Sequence, residues 1–95
     1  MSRRRSEEMH VLTRDGVVDA PIERGSVEAS TLGSYFNYVG QLVDADTIAA
    51  ANRAIDRLRD FDGVKVAGLE LETDPDWIEY WARRGQLDID EIYND

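Results

Sequence analysis

The residue types that carry most enzyme chemistry are sparse in this chain. It has one histidine, His10, and no cysteine, so no thiol nucleophile exists for an imidazole to activate. No serine stands in a G-x-S-x-G turn, because Gly25-Ser26 and Gly33-Ser34 lack the second glycine. The P-loop and the G-x-G-x-x-G phosphate cradle are also absent. A serine triad assembled from distant positions stays open, but acyl transfer has no support, and we predict a protein that is not an enzyme.

Acidic residues are the more numerous candidates, since the chain has 20 of them. Residues 60–63 (DFDG) resemble the middle of a calcium loop, but this alignment puts Leu58 and Leu69 where the first and last carboxylates are needed. Other carboxylates that could hold Mg²⁺ or act as an acid and base are Glu70 with Glu72, or Asp88, Asp90 and Glu91. Helix capping and solvation explain these acids more simply. We therefore predict no metal and no cofactor.

Aromatic residues give the one hint of a binding function. In the helix predicted over residues 75–84, Trp77 and Trp81 share an arc of about 100° with Ile78, and Tyr80 lies at its flank. Tryptophan and tyrosine are favoured both in cores and in interface hot spots, so core packing and an exposed binding face are the two alternatives. The predicted partner-binding side chains of the folded body are Trp77, Tyr80, Trp81 and Tyr38.

Charge is unevenly distributed along the chain, whose formal net charge is -9. Residues 1–24 hold five basic and five acidic residues, whereas residues 25–95 hold six basic and fifteen acidic residues. Nucleic-acid affinity comes largely from Lys and Arg releasing counterions, so direct nucleic-acid binding by the body is disfavoured. A flexible basic arm is predicted over residues 1–8, and it is either simply solvated or contacts a partner through Arg3, Arg4 and Arg5.

Length and composition favour one folded domain over residues 9–95. A chain of 95 residues suffices for a single hydrophobic core, and its 42% apolar content is that of ordinary globular chains. No apolar run is long enough for a secretory signal or a membrane span. We therefore expect no membrane partner, and residence in the cytoplasm or in an assembled particle.

The N-terminal third predicts strands and then a helix. Residues 9–23 contain two β-prone runs around Asp15-Gly16, which predicts a hairpin. Pro21 lacks an N–H, so the second strand should be an edge strand or should stop there. From residue 26 to 43 the apolar period changes to 3.6, which predicts an amphipathic helix. Two glycines, Gly33 and Gly40, lie beside its apolar arc, where the backbone of this chain or of a partner could approach closely.

A second helix is predicted to follow after a short link. Asp44 or Asp46 can cap it, and it should end near Asp60. The side chains expected on its inner face are Ile48, Ala51, Ile55 and Leu58. Two amphipathic helices joined by a short link form a helical hairpin.

The C-terminal part predicts a strand or hairpin followed by helix. Residues 64–72 alternate around Ala67-Gly68, as one bent strand or a second tight hairpin. Asp74 before Pro75 marks the start of the tryptophan-containing helix. A short terminal helix, capped by Asp88 or Asp90, should include Ile89, Ile92 and Tyr93. The predicted fold class is α+β, with the helices on one face of a small sheet.

Two stretches, LETDPDWIEYWARRGQLDIDEIY and GSYFNYVGQLVD, carry a resemblance. Over residues 24–93 the chain resembles a set of short acidic proteins of actinobacteria and their phages or mobile elements. The resemblance brings no assigned activity and no functional residue. It implies a compact accessory module and, through the phage connection, a virion component.

These observations favour a non-enzymatic protein-interaction or assembly module that binds another protein or copies of itself. A small structural accessory of a larger complex, such as a phage particle, fits this expectation. One alternative is an acidic DNA mimic that inhibits a nucleic-acid-binding protein, which the intermixed arginines oppose. Another is a carboxylate- or metal-dependent hydrolase, which the motif search disfavours.

Overall fold

The computed structural model describes residues 6–84 of the chain. Within them, two antiparallel hairpins and three α-helices confirm the predicted α+β class. In chain order the elements are β1 (Ser6–Thr13), β2 (Gly16–Glu23), α1 (Val27–Val43), α2 (Ile48–Leu58) with a 3-10 turn (Arg59–Phe61), β3 (Lys65–Val66), β4 (Leu69–Glu70) and α3 (Pro75–Arg83). The terminal helix predicted at residues 88–93 lies outside the described residues.

The first hairpin is confirmed, but its loop lies one residue earlier than the sequence predicted. Thr13 pairs with Gly16, so the loop is Arg14-Asp15. The Thr13 hydroxyl donates to the carbonyl oxygen of Gly16 (2.9 Å) and accepts from the N–H of Asp15 (3.1 Å). Gly16 has a φ of 111°. A glycine of positive φ directly after a two-residue turn restores the twist of the two strands.

The first strand also begins earlier than predicted. Ser6 lies opposite Glu23, so residues 6–8 belong to the hairpin and not to the basic arm. Among the described strands, β2 pairs with β1 alone. Pro21 therefore lies in an edge strand, which was one of the two predicted alternatives, and β2 does not stop there but continues to Glu23.

Helix α1 carries the largest part of the core. Ser26 begins it as the N-cap, its Oγ accepting the N–H of Ala29 at 3.1 Å. The predicted apolar arc is confirmed, since Leu32, Tyr35, Phe36, Val39 and Leu42 are buried.

The two glycines of α1 differ from each other. Gly40 is buried, whereas Gly33 is exposed and a Cβ placed on it would meet no atom within 4 Å. No close backbone approach from the described residues therefore occurs at Gly33.

Helix α2 corrects two predictions. Its N-cap is Thr47, whose Oγ1 accepts the N–H of Ala50 at 3.0 Å, whereas Asp44 is the C-cap of α1. Ile48, expected on the inner face, is 81% exposed. Leu58 is buried as predicted, and Ala51 and Ile55 pack partly buried against the core, whereas Ala54 is buried in addition. The first turn of α2 extends past the core, so its apolar side chain has nothing to pack against.

The second hairpin resolves the alternative at residues 64–72 in favour of two strands. Ala67 and Gly68 form its turn with φ of 52° and 78°, the left-handed pair that a two-residue hairpin loop needs. Leu71 bridges to Thr13, and the N–H of Glu72 donates to the carbonyl oxygen of Leu12 at 2.9 Å. The two hairpins are thereby joined at the end of β1.

Helix α3 begins as predicted, with Asp74 as N-cap and Pro75 in the first turn. Its inward anchor is Ile78, which is fully buried. The core draws on both hairpins and all three helices, and its buried apolar side chains include Val11, Leu12, Ile22, Tyr35, Phe36, Leu58, Val66, Leu71 and Ile78.

Candidate functional site

The solvent side of α3 is the most distinctive surface among the described residues. Five of its side chains are exposed. They are adjacent in the sequence or three to four positions apart, so they share one face of the helix. We call this surface the α3 face, and it consists of Asp76, Trp77, Tyr80, Arg83 and Arg84. The acid stands at the start of the helix, the two aromatic residues in the middle and the two arginines at the end.

The aromatic residues of the α3 face are large and incompletely covered. Trp77 is 49% exposed and Tyr80 is 40% exposed. Their rings meet edge to face, with centroids 5.1 Å apart and planes at 80°. The guanidinium carbon of Arg84 lies 4.9 Å from the centroid of the Tyr80 ring. These contacts hold both rings in defined positions while half of their surface faces solvent.

Trp81 lies on the other side of Tyr80 and turns toward the core. Its ring meets Tyr80 edge to face at 5.0 Å and packs against the first hairpin. A Cβ on Gly16 would lie only 3.1 Å from this ring. The indole N–H of Trp81 is buried without a hydrogen-bond partner among the described residues, so packing alone positions the ring.

The structure therefore divides the aromatic residues that the sequence placed on one surface. Trp77 and Tyr80 face solvent, whereas Trp81 joins Ile78 on the inner side of α3. Tyr38 is half-buried on α1 and its ring pairs with Phe61 at 6.3 Å. Its recorded ring contact thus belongs to the core cluster and not to the α3 face.

Arg3, Arg4 and Arg5, predicted as partner contacts, lie outside the described residues.

The carboxylates proposed as a pair have separate roles. Glu70 pairs with Arg14 at 3.2 Å near the surface. Glu72 is buried, and its Oε2 accepts the N–H groups of Thr73 and Asp74, both at 3.0 Å. It stabilises the segment that leads into α3. The sequence pattern missed this role because the chain leaves the strand at Leu71, after which strand alternation no longer applies.

Glu72 also belongs to a buried polar link with α1. The hydroxyl of Tyr35 donates to the backbone carbonyl oxygen of Glu72 at 2.6 Å. Burial, and after it the negative charge of Glu72, raises the pKa of the Tyr35 hydroxyl well above its ordinary value. Tyr35 therefore serves as a neutral hydrogen-bond donor at physiological pH, which is a structural role.

One further pair of titratable side chains, His10 and Asp19, lies near the surface. The imidazole Nδ1 of His10 contacts the carboxylate of Asp19 across the first hairpin, where the two residues are direct partners. Within residues 6–84, no group of three His, Asp or Glu side chains is placed to hold a metal ion. The helices of this part of the chain are all too short or too polar to cross a membrane.

A shallow depression of about 550 Å³ lies where α1 meets α2. Its charged lining residues are Asp44, Asp46 and Arg53. Carboxylates and a guanidinium share this open depression, so it presents neither a uniform anion site nor a uniform cation site.

Comparison with models of known families, with curated proteins and with solved structures found no match.

Proposed function

We propose that this protein is a non-enzymatic protein-interaction or assembly module and that the α3 face is its contact surface. The observation that carries the proposal is the pair Trp77 and Tyr80, held edge to face on one short helix with roughly half of each side chain exposed. A small accessory component of a larger complex, such as the phage particle that the sequence resemblance implies, is the setting that we propose.

Trp77 and Tyr80 present large apolar surfaces that are both exposed and ordered. Hot spots of protein interfaces are enriched in Trp, Tyr and Arg, and all three types are present on the α3 face. Because the rings already pack on each other and Ile78 anchors the helix, binding needs little further ordering of these side chains. Val27 and Ile48 are even more exposed, at 82% and 81%, but each stands at the first turn of a different helix.

Charge supports a polypeptide partner. The chain as a whole has a net charge of -9, which repels phosphate backbones at long range even though the α3 face itself holds two arginines and one acid. We therefore propose another protein or a second copy of this chain as the ligand.

The test compares two matched double variants of the tagged full chain. Trp77→Ser with Tyr80→Ser removes the aromatic pair, and Val27→Ser with Ile48→Ser removes two exposed apolar residues elsewhere. We expect proteins recovered from the source cell, and any self-association measured by sedimentation, to be lost in the first variant and retained in the second. Equal behaviour of the wild type and both variants would contradict the proposal.

The same experiment addresses the acidic-mimic alternative. The alternative predicts that the recovered partner is a nucleic-acid-binding protein. It should be released at high salt and should still bind the variant without Trp77 and Tyr80. That result would identify the acidic surface, and not the α3 face, as the binding site.

A further inference from the structure

We propose that the α3 face is self-complementary, and that two copies of this chain associate through their α3 helices, antiparallel about a two-fold axis. This inference rests on the proposed function and names the partner of the same surface. It follows from the order and spacing of the five exposed side chains.

Tyr80 stands at the centre of the α3 face. Trp77 and Arg83 each lie three residues from it, and Asp76 and Arg84 each lie four residues from it. A two-fold axis through Tyr80 therefore brings Asp76 of one copy to Arg84 of the second copy. It also brings Tyr80 to its own equivalent, because the i±4 rows of the two helices then run along each other.

Both pairings are chemically favourable, and symmetry makes the first occur twice. Asp76 with Arg84 is an ion pair. The two Tyr80 rings pack on each other across the axis. Antiparallel helices also place the positive end of each macrodipole beside the negative end of the other.

The charged groups of the α3 face are available for such contacts. The ion pairs within the described residues involve neither the carboxylate of Asp76 nor the guanidinium of Arg83. Arg84 already lies over the Tyr80 ring, 4.9 Å from its centroid, which places its N–H groups beside the centre of the face.

Local charge separates a second copy from other partners. Two acidic chains repel each other in general, because each carries a net charge of -9. The α3 face is an exception: one carboxylate and two guanidinium groups give it a local charge of +1 (-1 + 2). A uniformly basic partner would be repelled by the two arginines, whereas a second α3 face offers an acid and aromatic rings at matching positions.

The expected association is weak. At about 1.5 Å per residue, a face of nine positions is about 12 Å long, so the contact is smaller than the roughly 800 Å² per partner of a standard stable interface. Symmetric pairing of one patch with itself is the commonest form of homo-oligomer. We therefore expect a monomer–dimer equilibrium that is concentration-dependent in the micromolar range.

The decisive experiment is a charge swap followed by sedimentation velocity, with the full chain from micromolar to millimolar concentration. Asp76→Arg alone and Arg84→Asp alone each juxtapose like charges twice, so each should weaken dimerisation at least about tenfold. An equimolar mixture of the two variants should restore the dimer, because each pairing is then between opposite charges. Controls with the same charge changes elsewhere, Asp46→Arg and Arg53→Asp, should leave it unchanged.

A second variant covers the case in which a charge reversal impairs folding. Tyr80→Glu puts two carboxylates across the two-fold axis at a surface position and should also give a monomer, with its fold checked by circular dichroism. Failure of the mixture to restore the dimer, or loss of the dimer in the control variants, would overturn the antiparallel arrangement. A wild-type chain that stays monomeric at all concentrations would overturn the inference, and the proposed function would still stand if a different protein binds in a Trp77-dependent manner.

Discussion

Residues 6–84 contain two aromatic clusters in which one tyrosine ring meets two neighbours edge to face. In the buried cluster Tyr35 stands between Phe36 and Phe61, with ring centroids 5.2 and 5.6 Å away. In the surface cluster Tyr80 holds the same central position between two tryptophans, at 5.0 and 5.1 Å. The ring geometry is shared, so the two clusters differ mainly in their surroundings.

The difference lies in solvent and in the hydroxyl groups. Tyr35 is fully buried and donates to the backbone of Glu72, whereas Tyr80 keeps 40% of its surface exposed. Apolar area removed from water contributes to folding, and apolar area left in water stays available for association. Edge-to-face ring contacts therefore do not by themselves identify a core, because the same contacts can hold exposed aromatic side chains in place.

The largest expected effect separates the two central tyrosines. Tyr35→Ala should lower the free energy of unfolding by about 3–5 kcal/mol, since it leaves a cavity in the core. Tyr80→Ala should lower it by less than about 1 kcal/mol. Urea unfolding followed by circular dichroism measures both values. Similar losses of stability in the two variants would mean that Tyr80 contributes to folding as much as Tyr35 does.

A smaller effect tests how the surface cluster is fixed to the fold. Gly16→Ala should lower stability by roughly 1–3 kcal/mol, because φ is 111° and the new Cβ would lie 3.1 Å from the Trp81 ring. The matched control is Gly33→Ala, which has open space in a helix interior and should raise stability by about 0.5–1 kcal/mol. A neutral result at Gly16 would mean that Trp81 is not held against the first hairpin.

The buried cluster should also show itself in the pH dependence of stability. Burial raises the pKa of Tyr35 in the folded protein, so above the unfolded value of about 10 only the unfolded chain loses this proton. The part of the free energy of unfolding that comes from the protonated Tyr35 hydroxyl is therefore fully present below about pH 10. It declines as pH rises further, by about 1.4 kcal/mol at about pH 11. Tyr35→Phe should remove this part of the slope when the two chains are compared by urea unfolding. If the free energy of unfolding depends on pH in the same way in the wild type and in Tyr35→Phe, Tyr35 ionises while the protein is folded.

Sequence reasoning succeeded where a local rule acts on few residues. Asp74 before Pro75 marked the start of α3, and the 3.6-residue period of α1 identified the side chains that are buried. The predicted N-cap of α2, Asp44 or Asp46, was wrong because Thr47 was not considered. Thr47 has a capping side chain of the same kind directly before Ile48, whereas Asp44 ends α1.

The candidate site was predictable in composition but not in orientation. The spacing grouped Trp77 with Trp81, yet the two lie on different sides of the boundary between core and solvent. That boundary depends on how α3 is rotated about its axis. The rotation is set by Ile78 in the core and by Trp81 against the first hairpin, and both contacts join parts of the chain that are distant in sequence.

The smallest expected change in stability belongs to the residue with the largest expected change in binding. Trp77→Ala should alter the free energy of unfolding by about 0.5 kcal/mol or less, because half of the side chain already faces water. As a hot spot of the α3 face, its loss should weaken association by about 2 kcal/mol, or roughly thirtyfold in Kd. Ile48→Ala is the matched control, since this apolar residue is 81% exposed on α2 and should change neither quantity. Urea unfolding and sedimentation velocity on the same preparations measure both. If Trp77→Ala lowers the free energy of unfolding as much as Tyr35→Ala does, Trp77 acts as a core residue. The surface cluster would then serve folding and not contact with a second chain.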